Sequence, residues 1–210
     1  MSRMGIIVNV DECIGCHACF IACKQENQVS PNIQWNRIRK IENREKNIIN
    51  YFRASCQHCE DPACLKVCPM KAVYKGPHGE ILIDQDKCIA CKACLAACPY
   101  GMPRFNDRKL TSYYGEKEPL FSPSNPPTKN AQPGKAEHCT LCSHRLANGK
   151  EPACVEICPA KALTLVDFDA PTEKQKKLLS KAVQLKAGVD TKPKVRYICS
   201  NMDFREVALK

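Results

Sequence analysis

Sixteen of the seventeen cysteines in this 210-residue chain fall into four groups of four, and this pattern constrains the fold more than any other feature. In chain order the groups are Cys13, Cys16, Cys19 and Cys23; Cys56, Cys59, Cys64 and Cys68; Cys88, Cys91, Cys94 and Cys98; and Cys139, Cys142, Cys154 and Cys158. The first and third have the spacing C-x2-C-x2-C-x3-C, and the second and fourth widen the middle gap. Bacterial ferredoxins hold cubane iron–sulfur clusters with this spacing, taking three thiolates from one run and the fourth from another. The sequence therefore predicts four [4Fe-4S] clusters.

The charge and the aromatic content agree with a fold built around clusters. Aromatic residues make up only 6% of the chain, which is low for a core held by side-chain packing alone. The formal net charge is +10, but cluster-bound thiolates of about −16 and four oxidised cores of about +8 leave roughly +2. The basic residues are spread along the chain without interleaved stacking aromatics, so we expect no nucleic-acid partner.

No membrane span or secretion signal is visible. The chain lacks a run of 18 or more apolar residues, so we expect no transmembrane segment of its own. Met1 to Val10 does not look like a cleavable signal peptide, which favours metal ligation over disulfides for the cysteines. We expect cytoplasmic synthesis and a cytoplasmic or membrane-associated location, with export bound to a partner as an alternative.

The cysteine groups are copies of one another. VDECIGCHACFIAC, starting at Val10, resembles QDKCIACKACLAACP, which lies 75 residues further on. EDPACLKVCPMKAV, starting at Glu60, resembles KEPACVEICPAKAL, starting at Lys150. Such internal similarity indicates a duplication.

Flanking strands indicate which groups belong together. Period and composition predict strands over Gly5–Val10, Ala72–Tyr74, Glu80–Asp84 and Ala162–Phe168. The turn sequence Lys75–Gly79 joins the second and third of these strands in a short hairpin. The second and third cysteine groups therefore form one module, and the first and fourth form the other.

The predicted fold is α+β: a duplicated bacterial-ferredoxin-like fold in which one two-cluster module is nested within another, with long loops. The outer module comprises residues 1–55 and 136–170, and the inner module residues 56–105. A Pro-rich insertion loop, either solvated or a docking arm, follows over residues 106–135, and a C-terminal helix and strand extension over residues 171–210. A tandem alternative pairs the first group with the second and the third with the fourth. It fits worse, because Lys24 to Tyr51 shows no strand and hairpin in the right place.

The nested arrangement implies that the last cysteine of each group crosses to the partner group. The four predicted ligand sets are Cys13, Cys16, Cys19 and Cys158 for cluster 1; Cys139, Cys142, Cys154 and Cys23 for cluster 2; Cys56, Cys59, Cys64 and Cys98 for cluster 3; and Cys88, Cys91, Cys94 and Cys68 for cluster 4. The fourth cysteine of each group is predicted to open a short helix, with the proline that follows it in the first turn. Cys23 departs from this pattern because Lys24 follows it.

Several other residues carry weaker signals. His17 and His58 lie inside cysteine loops, but the sulfur count is complete without them, so we do not expect them to bind iron. Cys199 is expected to be a bystander thiol, and Trp35 to pack in the core or at an interface. Residues 172–188 predict a helix that starts in a capping box and packs its narrow apolar face on the cluster domain.

With these motifs, the chain resembles the four-cluster iron–sulfur subunit of the dimethyl sulfoxide reductase family of molybdopterin oxidoreductases. The resemblance also rests on A-C-K at Ala22, C-x-H-C at Cys56, P-A-C at Pro62, C-P-Y-G at Cys98, C-T-L-C at Cys139 and K-P-K-V-R-Y from Lys192. It implies a non-catalytic subunit that relays single electrons from or to a large molybdopterin- or tungstopterin-containing catalytic subunit. The other partner would be a quinone-reactive membrane anchor subunit or a soluble carrier. Some relatives lose a cysteine of the third group and hold a three-iron cluster, but here that group is complete.

Two alternatives remain at this point. The chain could be a self-standing polyferredoxin or an electron adapter of a hydrogenase. A zinc-stabilised protein fits less well, because zinc sites use two separated C-x2-C pairs and not three cysteines within seven residues. The sequence shows no nucleophile–base pair or phosphate loop, so we expect no catalytic site.

Overall fold

The computed structural model describes residues 2–107, 133–186, 188 and 190–209. The insertion predicted over residues 106–135 therefore lies outside the described residues, except for 106–107 and 133–135. The strands are β1 (Met4–Asn9), β2 (Asn36–Asn43), β3 (Ile48–Ser55), β4 (Val73–Lys75), β5 (Ile81–Ile83), β6 (Arg104–Phe105), β7 (Ala136–Glu137), β8 (Leu163–Asp167) and β9 (Val195–Ile198). The helices are α1 (Ala18–Asn27), α2 (Ala63–Lys66), α3 (Ala93–Ala97), α4 (Ser143–Leu146), α5 (Ala153–Glu156) and α6 (Glu173–Leu179), followed by a 3₁₀ turn at Phe204–Glu206.

The first strand lies at the centre of a three-stranded sheet of order β8-β1-β9. It pairs antiparallel with β8, with Ile6 opposite Leu165, and parallel with β9, with Ile6 opposite Val195. Its apolar run Ile6, Ile7 and Val8 is buried on both faces, as expected for a central strand. The strand that follows Cys158 therefore pairs with the strand that precedes Cys13, although the two are far apart in the sequence.

A short hairpin joins the second and third cysteine groups. Strands β4 and β5 pair antiparallel, with Val73 opposite Ile83. The turn between them uses Gly79 at φ 73°, a left-handed conformation in which glycine is favoured. This hairpin was predicted from the sequence and is confirmed.

The segment between the first and second groups differs from the prediction. Residues 36–55 form a hairpin of β2 and β3, with Asn36 opposite Ser55 and Asn43 opposite Ile48. The stretch Lys24 to Tyr51, expected to show no strand and hairpin in the right place, therefore does contain β2 and part of β3. The first strand of the pair, NRIRKIEN, is largely polar because one of its faces is open to solvent, and this masked its strand character. The two strands form a separate sheet and do not extend β1.

Short helices carry the third cysteine of the groups, and the fourth opens none of them. Helix α3 contains Cys94 and ends just before Cys98, whose backbone is extended. Helices α2 and α5 likewise end two residues before Cys68 and Cys158. The prediction that the fourth cysteine opens a helix is wrong. The Cys-Pro pair instead follows the helix end, because proline lacks the N–H that a further turn would need.

The C-terminal extension packs on the central sheet. Helix α6 starts in the predicted capping box of Thr172 and Gln175. It ends at Leu179 and does not reach residue 188 as predicted, because Val183 already forms a bridge with Tyr197 of β9. The apolar side chains of this segment pack against one face of the sheet, and the cluster comprises Ile7, Val166, Ile198, Phe168, Leu178, Leu179 and Ala182.

The main core joins the sheet to the cysteine loops. Phe52, Tyr197 and Phe204 form an aromatic cluster with ring centroids of Phe52 and Phe204 4.8 Å apart. Cys19, Cys23, Cys139, Cys154 and other thiols belong to the same continuous core. Within the described residues, no helix combines the length and the apolar character that a membrane crossing requires.

Candidate metal centres

One cavity is surrounded by cysteines from two distant groups. Its wall includes Cys139, Cys142 and Cys154 of the fourth group together with Cys23 of the first. These four thiols are the ligand set predicted for cluster 2. Helix α1 delivers Cys23, and helix α5 delivers Cys154, with the two helices packed against each other.

A second cavity is lined in the same way. Cys88, Cys91 and Cys94 of the third group surround it together with Cys68 of the second. This is the set predicted for cluster 4. In both cavities the fourth cysteine comes from the partner group that the nested arrangement assigns. The four cysteines of each set line one cavity, which is the arrangement that a cubic cluster needs.

For the other two sets, the pKa shifts of the thiols show which cysteines are neighbours. Burial raises the pKa of Cys13, and its neighbours Cys158 and Cys16 add to that rise. Burial also raises the pKa of Cys64 to about 12, with further contributions from Cys98 and Cys59. The structure therefore places Cys158 beside the first group and Cys98 beside the second.

The backbone of each loop turns its amides toward sulfur. The residue before the second cysteine is left-handed in every group: Gly15 at φ 71°, His58 at 44°, Ala90 at 64° and Leu141 at 55°. As a result the amide of His58 donates to Cys56 Sγ at 3.5 Å and that of Leu141 to Cys139 Sγ at 3.4 Å. Successive N–H groups in such turns form concave anion sites. They suit the thiolate and sulfide charge of a cluster.

Exposure divides the four sets into two kinds. Cys16 and Cys91, in the sets for clusters 1 and 4, are exposed to solvent. All four thiols of the cluster 2 set are buried, and so are those of the cluster 3 set except the partly buried Cys64. Two of the predicted sets therefore include a solvent-exposed thiol, and the other two do not.

Burial disfavours the thiolate form of Cys59 and of Cys142. It raises the pKa of Cys59 to about 11, partly offset by a hydrogen bond with Thr191, and that of Cys142 to about 12. Iron binds thiolate, so filling these sites must release protons. Among the described residues, no group of three or more His, Cys, Asp or Glu side chains is arranged for a single metal ion.

Comparison with known proteins decides what the loops hold. The family described as "4Fe-4S dicluster domain" matches residues 48–113 and 120–168, and a "4Fe-4S binding domain" matches residues 10–26. The iron–sulfur subunit of the arsenate respiratory reductase of Shewanella sp. strain ANA-3 is 35% identical, over 94% of this chain and 97% of that protein. The B subunit of the polysulfide reductase of Wolinella succinogenes is 36% identical, over 92% of each protein. The B subunit of the anaerobic dimethyl sulfoxide reductase of Escherichia coli K12 is 34% identical, over 84% of this chain and 78% of that protein.

This protein belongs to the family of [4Fe-4S] iron–sulfur subunits of these reductases. The predicted cofactor is thereby confirmed, and the two dicluster segments imply about four clusters. The zinc alternative is wrong. Because the four cysteine groups are the only repeated metal-binding pattern in the sequence, their sixteen thiols are the residues of this iron–sulfur subunit that fit the clusters.

Sequence reasoning missed the polar side chains that contact the buried cysteines of this iron–sulfur subunit. Asn27 donates from Nδ2 to both Cys23 Sγ and Cys142 Sγ, each at 3.7 Å. Thr191 Oγ1 lies 3.3 Å from Cys59 Sγ and 2.9 Å from the hydroxyl of Tyr100. Arg53 Nη2 donates to Cys139 Sγ at 3.6 Å. Thr191 directly precedes the K-P-K-V-R-Y stretch, the one signal that pointed to this region, whereas nothing local marks Arg53.

His58 and Trp35 are buried, whereas His17 is exposed and Cys199 is partly buried. His58 is buried and accepts a hydrogen bond from the Ile81 amide through Nδ1 at 3.1 Å, whereas His17 is exposed at the start of α1. Trp35 is buried, as predicted for a packing role, and donates to Glu137 Oε2 at 2.7 Å. Cys199 is partly buried, 3.2 Å from Asn201 Oδ1.

Proposed function

We propose that this iron–sulfur subunit relays single electrons through four [4Fe-4S] clusters held by the four crossed ligand sets. The observation that carries the proposal is the convergence of Cys23 with the fourth group and of Cys68 with the third, each around one cavity. A tandem arrangement would keep Cys68 with the first group and Cys23 with the second. The pairing of β1 with β8 and of β4 with β5 supports an outer module of residues 1–55 and 136–170 around an inner module of residues 56–105.

Neighbouring thiols support a linear order of the four sets. Burial is the main cause of the raised pKa of Cys19 in set 1, and Cys154 of set 2 adds to the rise. Cys139 of set 2 contributes in the same way to the raised pKa of Cys56 in set 3. Cys94 of set 4 contributes to the raised pKa of Cys64 in set 3. Adjacent sets are therefore 1 with 2, 2 with 3, and 3 with 4, which is the order a relay requires.

The two ends of this order coincide with the surface. Each end carries an exposed cysteine next to exposed apolar side chains, namely Ile14 and Ile157 at set 1 and Met70 and Ile89 at set 4. Contiguous exposed apolar residues mark interaction sites. One end would face a large molybdopterin- or tungstopterin-containing catalytic subunit, and the other a quinone-reactive membrane subunit or a soluble carrier. The relay subunit itself would supply no catalytic group.

The crossed ligand sets are tested by removing one crossing cysteine. Cys98→Ala should abolish or degrade the cluster of Cys56, Cys59 and Cys64 and leave the signals of the other three. Iron in anaerobically purified protein should fall from about sixteen per chain towards about twelve, because each cubane contributes four. Cys199→Ala is the matched control and should leave the iron content unchanged. Loss of the cluster of Cys139, Cys142 and Cys154 in Cys98→Ala, as the tandem arrangement predicts, would contradict the nested sets.

The partner is tested by co-purification of the subunit from its native cells. A large associated subunit that contains molybdenum or tungsten supports the proposal. A hydrogenase in its place, or an unassociated protein that exchanges electrons by itself, would favour the adapter or polyferredoxin alternative.

A further inference from the structure

Arg53 is a buried cation beside the cavity of the cluster 2 set. It lies on β3, and only 1% of its surface is exposed. Its Nη1 donates to Ser55 Oγ at 2.7 Å, and its Nη2 donates to Cys139 Sγ at 3.6 Å. The guanidinium is therefore anchored on one side by a hydroxyl and directed on the other at a ligand sulfur.

Four thiols of sets 1 and 2 lie near enough to Arg53 to interact with its charge. Burial by itself lowers the pKa of Arg53, but Cys154, Cys139, Cys19 and Cys23 more than reverse that effect, and the net direction is upward. Arginine is effectively always protonated in proteins. A fixed positive charge therefore sits where the two sets approach each other, and it lies on the wall of the set 2 cavity.

A fixed positive charge favours reduction of a nearby cluster, because reduction adds a negative charge to the site. The cluster 2 set is wholly buried, and a site of low dielectric disfavours added charge. Cluster potentials depend on net charge, hydrogen bonds to sulfur and solvent exposure. Asn27 supplies neutral donors to Cys23 and Cys142, but Arg53 supplies the only full positive charge among the described side chains that line this cavity.

We propose that Arg53 is a positioning residue that raises the reduction potential of the cluster held by Cys139, Cys142, Cys154 and Cys23, offsetting the burial of that site. The inference rests on the ligand set proposed above. Its consequence is that the interior of the relay stays reducible, so that electrons can pass between sets 1 and 3.

The test is a potentiometric titration of the purified holoprotein followed by electron paramagnetic resonance. The signal of this cluster is first assigned as the one lost in Cys142→Ser. In Arg53→Gln, the ratio of reduced to oxidised cluster at a fixed potential should fall at least tenfold, equivalent to a midpoint lower by about 59 mV. Arg53→Lys keeps the charge and should change the ratio less than threefold. Arg205→Gln removes an exposed charge and should leave the signal unchanged.

An unchanged midpoint in Arg53→Gln, with all four clusters present, would overturn the inference. If Arg53→Gln fails to assemble its clusters, Arg53→Met carries the test, since it also removes the charge but keeps a side chain of similar length. A lowered midpoint of the same signal supports the role, and an unchanged one rejects it. A wrong ligand set would appear differently, because Cys142→Ser would then remove a cluster that Cys23→Ser leaves intact.

Discussion

Replacing Gly15 with alanine should destabilise the first cysteine loop in two ways, through backbone strain and through overlap with a neighbouring ring. Gly15 has φ 71°, and a Cβ at this position would lie 2.8 Å from Cδ1 and Cγ of the Tyr51 ring. A left-handed conformation costs a residue with a Cβ about 1–2 kcal/mol. Overpacking against a ring adds about 1–3 kcal/mol. We therefore expect Gly15→Ala to lower the free energy of unfolding by about 2–5 kcal/mol.

The third group provides the matched control, because the equivalent residue there is Ala90 at φ 64°. An alanine is thus accommodated in the same backbone conformation in the third group. Ala90→Gly relieves the backbone cost but increases the freedom of the unfolded state, and these effects nearly cancel to within about 1 kcal/mol. Only the position facing Tyr51 should respond strongly.

The assay is the apparent midpoint of thermal unfolding, measured anaerobically at one heating rate together with the iron content. For a protein of this size, 1 kcal/mol corresponds to about 2–4 °C. Gly15→Ala should also lose iron from the first group before the other clusters. In a Tyr51→Ala background, the same substitution should cost only about 1–2 kcal/mol, the backbone part. An equal loss with and without the Tyr51 ring would refute the steric reasoning.

Three further predictions concern the contacts around the buried cysteine sets proposed for clusters 2 and 3. Lys24→Pro gives the first group the Cys-Pro pair that the other groups have. It should end α1 early and destabilise the fold by about 3 kcal/mol. Circular dichroism should show less helix, and the electron paramagnetic resonance signal of cluster 2 should change. Glu26 is a carboxylate with a lowered pKa, because the hydrogen bonds from His144 and Arg145 outweigh the opposing effect of burial. Glu26→Gln should therefore cost about 1–3 kcal/mol at pH 7, and the cost should vanish as pH falls through the lowered pKa, in thermal unfolding at several pH values. Thr191→Val should destabilise the fold by about 1–3 kcal/mol and lower the potential of the cluster bound by Cys59, whereas Thr191→Ser should change neither in a redox titration.

Features set by neighbouring residues could be predicted from the sequence. The β4–β5 hairpin follows from a turn sequence between two apolar runs, and the capping box of α6 from Thr172 and Gln175. The pairing of β1 with β8 could also be inferred, because the repeat supplied long-range information that a single copy would lack. The [4Fe-4S] cofactor followed from spacing alone.

Features set by distant contacts could not be predicted. Arg53 reads as an ordinary charged strand residue until folding buries it against Cys139, 86 residues away. The end of α6 is decided by the bridge between Val183 and Tyr197, and β2 is too polar to stand out as a strand. The helices were misplaced because the proline after the fourth cysteine fits a helix start and a helix end equally well.

The residue after the fourth cysteine is linked to how far the preceding helix runs. Cys68 is followed by proline, its helix has already ended, and the thiol is only partly buried. Cys23 is followed by Lys24, so α1 continues to Asn27 and the added turn covers the thiol. That same turn brings Asn27 to two sulfurs of the cluster 2 set and ties Glu26 to Arg145 of α4. Lysine in place of proline therefore goes with a longer helix, whose last turn supplies polar contacts to the proposed cluster 2 set.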